Sequence, residues 1–269
     1  MATDQPSVAD SGQLLVEEPA PYVARLTISN PGKRGALDHA ILDAFGARLP
    51  KLEARCVIIT GEGSAFSAGY DIGHLPSGVL ADEAENLVAH PFAAALDALD
   101  AYPYPTIAAL NGHAIGGGLE LALACDFRIA ASTIALAMPP AKLGLVYSHT
   151  GIRKFIETVG APRTREMFLI GRRIDAKTAR EWGLINAVTE PERLAEETLS
   201  LAREIASNAP LAQAGNKRVI RAVLDAQADM NPAVEKELIE LRRACFSSQD
   251  FEEGVRAFAE KRAPRWQGR

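Results

Sequence analysis

An α/β core that continues into a helical C-terminal region is the fold class this sequence predicts, on three observations. Residues 56–60 and 106–110 are short, wholly apolar runs, the pattern of strands covered on both faces. Each leads into a segment rich in glycine and small residues, and the second such segment opens directly into an apolar helical pattern. Beyond residue 149 the apolar positions recur almost entirely at helical spacing.

The elements follow in order. Residues 1–12 are small, polar and aperiodic and read as a loose tail. Residues 14–17 and 23–29 read as a strand pair parted by Pro19 and Pro21. In the second strand Val23, Arg25 and Thr27 alternate with Ala24, Leu26 and Ile28, and Asn30-Pro31-Gly32 ends it. Asp38 is placed to cap a helix whose apolar stripe is Ile41, Leu42, Phe45 and Leu49. The spacing predicts helices over 82–99 and 119–124 and strands over 127–131 and 134–138. Further helices are expected over 149–159, 162–170, 175–182, 191–207, 211–227, 232–246 and 249–260, interrupted by one strand at 185–189. No low-complexity linker or fixed-period repeat is visible. The expected division is a tail at 1–12, an α/β core at 13–195 and a helical region at 196–269.

Composition excludes several function classes. The chain has 269 residues and is 48% hydrophobic, enough to bury a sizeable core. A formal net charge of −5 argues against general binding to nucleic acid or to an anionic membrane. Cys56, Cys125 and Cys245 are isolated, and the five histidines complete no zinc spacing, so no metal site is expected. There is neither a basic-then-apolar N-terminal signal nor a run of about 18 apolar residues. A cytoplasmic enzyme with reduced thiols and no membrane partner is the expectation.

Chemistry concentrates in the two glycine loops, residues 66–72 and 112–120. Small residues there let a ligand approach the backbone, and the second loop leaves N–H groups at the start of a helix without intrahelical acceptors. A phosphate-binding P-loop is excluded, because the loop ends Gly-Leu-Glu where Gly-Lys-Ser/Thr is needed. A dinucleotide fingerprint fails at Leu121. Two readings stay open: a pair of tight strand-to-helix turns, or an oxyanion hole built from one N–H of each loop.

The paired motifs FSAGYDI and NGHAIGGGLELALACD resemble the enoyl-CoA hydratase/isomerase, or crotonase, superfamily. The resemblance extends from Lys33-Arg34-Gly35-Ala36-Leu37 to the segment 249–264. It implies a crotonase-like spiral of ββα units followed by helices that mediate trimerisation, as a homotrimer or a dimer of trimers. It implies an acyl-CoA substrate, with coenzyme A entering as part of that substrate and no separate cofactor. The oxyanion donors it assigns are the amides of Tyr70 and Gly117. Ala68, Gly69, Tyr70, Asp71 and Ile72 would line the coenzyme A path, with Lys33 and Arg34 near its phosphates. Phe258 and Lys261 would lie beside coenzyme A, possibly that of a neighbouring subunit, in a tail where seven Lys/Arg face four acids over 242–269.

Glu120 matches the first of the two glutamates that a hydratase uses on water. The second should follow a proline after Met138, and this chain has Pro140 there. Proline transfers no proton, so the two-carboxylate arrangement is missing. That departure, together with Tyr147, resembles methylmalonyl-CoA decarboxylase-type members, in which Tyr147 would orient the substrate carboxylate. The expected reaction is decarboxylation of a short alkylmalonyl-CoA. The alternatives are an enoyl-CoA hydratase or isomerase that relies on Glu120 alone, and a non-catalytic or RNA-binding member of the fold. His74, His113 and His149 are further candidate proton donors.

Overall fold

The structure is a computed structural model that describes residues 11–70, 90–226 and 230–267. Strands β1 (Gln13–Ala20) and β2 (Val23–Ser29) pair antiparallel, and β2 then opens a parallel series. β3 (Cys56–Gly61), β5 (Thr106–Leu110), β7 (Phe127–Ala131) and β10 (Ala187–Thr189) complete a six-stranded sheet in the order β1-β2-β3-β5-β7-β10. A smaller sheet in the order β4-β6-β8-β9 holds β4 (Ala65–Ser67), β6 (His113–Ile115), β8 (Ala135–Ala137) and β9 (Ile174–Asp175).

The two sheets arise from one repeated step. β3, β5 and β7 each send the chain on to β4, β6 or β8 in the small sheet, and a helix follows: His90–Ala101, Gly117–Leu123 or His149–Arg165. Parallel pairing within both sheets makes the chain wind as a spiral of ββα units. The apolar strands justify their place, since β5 is buried at every position and β3 at all but Thr60. Asn111 fastens the two layers where β5 ends. Its Oδ1 accepts from the Gly61 amide at 3.0 Å, and its Nδ2 donates to the Gly63 carbonyl at 2.9 Å.

Asp38 caps helix His39–Arg48 as expected, accepting from the Ile41 amide at 3.0 Å. Such a cap is worth about 1 kcal/mol. The expected break between helices 149–159 and 162–170 is present as a kink at Gly160, where φ is 74°. Helix Leu194–Ser207 lies across β2, β3, β5 and β7. Helix Pro210–Ala226 buries no side chain and leaves Leu211, Val219, Ile220 and Val223 exposed. The expected strand at 134–138 is shorter, because Ile134 follows a turn and Met138 leaves the sheet. Strands β4, β6 and β9 have two or three residues each, too few to give a sequence period. Residues 82–89 of the expected helix lie outside the described residues.

Candidate active site

The first glycine loop is pinned against residues 33–37. The Ala68 amide donates to the Arg34 carbonyl at 3.1 Å, and the Leu37 amide donates to the Gly69 carbonyl at 2.8 Å. Buried Ser67 donates to the Gly35 carbonyl at 2.7 Å and accepts from the Gly69 amide at 3.1 Å. Gly69 has φ 92°, and a Cβ there would stand 2.7 Å from the Ile115 carbonyl and 3.2 Å from the Gly117 nitrogen. Only glycine lets the two loops approach so closely. A Cβ on Gly117 would in turn lie 3.6 Å from the Tyr70 nitrogen. The two amides therefore border one small space, and Gly117 is the first residue of its helix, where an N–H has no intrahelical acceptor. The Tyr70 hydroxyl lies 3.3 Å from His39 Nε2.

This space opens into a cleft of about 900 Å³. Its lining includes Lys33, Arg34, Ala68, Gly69 and Tyr70 from the first loop region, and Gly117 and Glu120 from the second. Tyr147, and Phe258 from helix Gln249–Ala259, line it too. Lys261 is exposed on the turn after that helix, at φ 54°, and lies outside the lining. Asp71, Ile72 and His74 fall outside the described residues.

Glu120 is 3% exposed and is the single acidic side chain among the described lining residues. The Tyr147 hydroxyl donates a short hydrogen bond to its Oε2. Burial pushes the Glu120 carboxyl up to about 7, against the opposing pull of the Tyr147 hydroxyl and of the Lys154 and Arg242 charges. Burial and the adjacent carboxylate both push the Tyr147 phenol well above its ordinary value. Tyr147 is held from behind by Phe168, edge to face with centroids 5.5 Å apart. Gly151 makes room for the pair, since a Cβ there would sit 2.7 Å from both Glu120 Oε1 and Tyr147 Cε1. Pro140 is buried and starts the turn Pro140–Leu143 in the same cleft.

The other histidines have structural partners. His113 Nδ1 accepts from the Ala135 amide at 2.9 Å, and His149 Nε2 lies 3.3 Å from Glu235.

The sequence profile of the enoyl-CoA hydratase/isomerase family matches residues 19–269. The chain belongs to this family. Among its relatives, the carnitinyl-CoA dehydratase of Salmonella typhi is 35% identical over 253 residues, covering 92% of this chain and 95% of that protein. A methylmalonyl-CoA decarboxylase structure superposes with a TM-score of 0.86 at 31% identity, covering 96% of this chain and 98% of that one. The carnitinyl-CoA hydratase of Mycobacterium avium gives a TM-score of 0.80 at 34% identity, covering 95% and 98%. The expected crotonase fold is thus the observed one, and a crotonase-type acyl-CoA enzyme is the function class it carries.

Three features of the cleft were not read from the sequence. Gly151 and Arg242 belong to the surroundings of Glu120, and Tyr147 bonds to Glu120 itself. The spacing of Leu238, Ile239, Arg242, Arg243 and Phe246 was the available signal, since those positions share one face of helix Pro232–Phe246 and all line the cleft. Among the described residues, no helix is long and apolar enough to cross a membrane, and no three His, Cys, Asp or Glu side chains group as metal ligands.

Proposed function

We propose that this enzyme decarboxylates methylmalonyl-CoA or a closely related short alkylmalonyl-CoA. The observation that carries the reading is one tuned carboxyl opposite a proline. Glu120 sits near 7, and the position where a hydratase needs its second carboxylate is Pro140. In the reaction the bond from the α-carbon to the carboxylate breaks and carbon dioxide leaves. The electron pair passes into the thioester enolate, whose oxygen takes the negative charge between the Tyr70 and Gly117 amides. Two preorganised donors at such a position contribute several kcal/mol. Glu120 then delivers its proton to the α-carbon and recovers one from solvent. At pH 7 about half of Glu120 is protonated, which suits a donor. These steps use no cofactor beyond the coenzyme A of the substrate.

Lys33 and Arg34, at one end of the cleft, would meet the phosphates of coenzyme A, and Ala68–Ile72 would border its path. Lys261, outside this cleft, would reach coenzyme A on a neighbouring subunit of a trimer. The exposed apolar face of helix Pro210–Ala226 supports such an assembly.

The similarity to carnitinyl-CoA dehydratases favours a second reading, addition or removal of water at the β-carbon. One carboxyl would then handle both protons. A carnitinyl group also carries a permanent cation, which the arginines of this cleft repel. The discriminating experiment is a side-by-side assay at equal enzyme concentration, following carbon dioxide from methylmalonyl-CoA, hydration of crotonyl-CoA and dehydration of carnitinyl-CoA. Carbon dioxide release should be fastest. Efficient hydration or dehydration with no carbon dioxide overturns the decarboxylase reading.

A further inference from the structure

Helix Pro232–Phe246 presents Leu238, Ile239, Arg242, Arg243 and Phe246 to the cleft, so its inner face is apolar except for two guanidinium groups. Arg242 is the lining cation whose field reaches both Glu120 and Tyr147. It therefore stands at the acyl end of the cleft, together with the oxyanion space, whereas Lys33 and Arg34 belong to the segment that pins the first loop. The Tyr147 hydroxyl is already committed to Glu120, so it has one donor fewer to offer an incoming carboxylate than a lone tyrosine has. Glu120 itself repels a carboxylate when ionised. A negative acyl group entering here needs a cation, and a guanidinium recognises a carboxylate through two parallel N–H donors.

We propose that Arg242 is the specificity-determining residue that selects acyl thioesters carrying a carboxylate. This rests on the decarboxylase reading for the identity of the substrate. The placement has a chemical consequence. A substrate carboxylate held near Glu120 disfavours the ionised form of Glu120, so the proton donor stays loaded until carbon dioxide has gone. The contact is made with the ground state and is lost as the charge moves to the thioester oxygen. It therefore strengthens binding without accelerating bond cleavage.

The test uses Arg242→Gln and Arg242→Lys with two non-reacting ligands, 2-carboxypropyl-CoA and propionyl-CoA, and binding is read by calorimetry. The wild type should prefer the carboxylated ligand. Arg242→Gln should lose about 10- to 100-fold of that preference, as for one charge-assisted contact. Its affinity for propionyl-CoA should stay within about 3-fold, and Arg242→Lys should recover part of the preference. With methylmalonyl-CoA the Gln variant should show a raised KM at nearly unchanged kcat, which a merely structural defect does not produce. Equal losses for both ligands, or an unchanged preference, overturn the assignment. Carbon dioxide release by the wild type separates the two claims. If the wild type decarboxylates while Arg242→Gln keeps the full preference, only the role of Arg242 falls. If the wild type releases none, the decarboxylase reading falls, and the ligand comparison still decides whether Arg242 reads a carboxylate.

Discussion

Replacing Glu120 by glutamine should stabilise the folded protein at neutral and alkaline pH while removing most of its activity. The carboxyl is 3% exposed and its value is raised from the ordinary 4.5 to about 7, chiefly by burial. At about 1.4 kcal/mol per pH unit, keeping Glu120 ionised in the folded state costs about 3 kcal/mol. The sign follows from proton binding. Between pH 4.5 and 7 the folded protein holds this proton more tightly than the unfolded chain, so this contribution to stability falls as pH rises through that window and is flat above it. Glutamine keeps the shape and the acceptor for the Tyr147 hydroxyl but carries no charge. The variant should therefore gain about 3 kcal/mol on the wild type between pH 4.5 and pH 8, or about 6–12 °C in Tm for a chain of this size. Thermal and urea unfolding of both proteins at several pH values, at one protein concentration, measures this. Loss of the proton donor should lower kcat by about 100-fold or more. A stability difference that stays constant from pH 4.5 to 8 refutes the tuned carboxyl, and with it the assignment of Glu120 as a loaded acid.

The other predictions concern its neighbours. Gly117→Pro should abolish activity in a folded protein, because proline lacks the second oxyanion donor, whereas Tyr70→Ala should keep much of it because the donor there is backbone. Steady-state kinetics on both variants checks this pair. Tyr147→Phe removes the hydroxyl that holds the Glu120 value down, so the alkaline limb of kcat should move to higher pH while kcat falls, and a pH–rate profile reads both changes. Gly151→Ala forces a methyl against Glu120 Oε1 and Tyr147 Cε1, and kcat should drop about 10-fold or more with little change in KM. Glu253, chelated by Arg262 at 2.6 and 2.9 Å and by the Arg265 amide at 2.8 Å, is held at about 2. Its contribution is present above pH 4.5 and lost as pH falls towards 2, so Glu253→Gln should make residues 262–267 easier to cleave by limited proteolysis at neutral pH but change little near pH 2.

How far the sequence could be read depends on the range over which each signal acts. The Asp38 cap lies three residues from the amide it binds, and the stripe Ile41, Leu42, Phe45 repeats within one helix, so both are local and legible. β3 and β5 are legible because a strand covered on both faces needs no alternation. β4 and β6 are not, because three residues carry no period and their pairing is set by partners about 50 positions away. The loop residues Lys33, Arg34, Ala68, Gly69, Tyr70 and Gly117 were found through motif resemblance, and they do line one cleft. The bond from Tyr147 to Glu120 spans 27 positions and depends on how the turn at Pro140–Leu143 folds back, which no local pattern encodes. Gly151 reads as an ordinary helix residue until the structure puts Glu120 against it.

The burial of Glu120 links stability to chemistry quantitatively. With its ordinary value near 4.5, about 0.3% of this carboxyl would be protonated at pH 7, and at about 7 the fraction is about one half. Burial therefore raises the population of the proton donor more than 100-fold, at the cost of about 3 kcal/mol of stability once the group is ionised. A second carboxylate at position 140 would push the Glu120 value still higher, because like charges disfavour the ionised form. It would also place a negative group against an incoming substrate carboxylate. Pro140 removes that repulsion and leaves the cations of helix Pro232–Phe246 to set the potential at the acyl end of the cleft. The same substitution that withdraws the second group needed to activate water thereby makes the cleft more favourable to an anionic acyl chain. Pro140→Glu should accordingly weaken binding of 2-carboxypropyl-CoA about 10-fold relative to propionyl-CoA. If both ligands bind the variant as they bind the wild type, the electrostatic account of the proline is wrong.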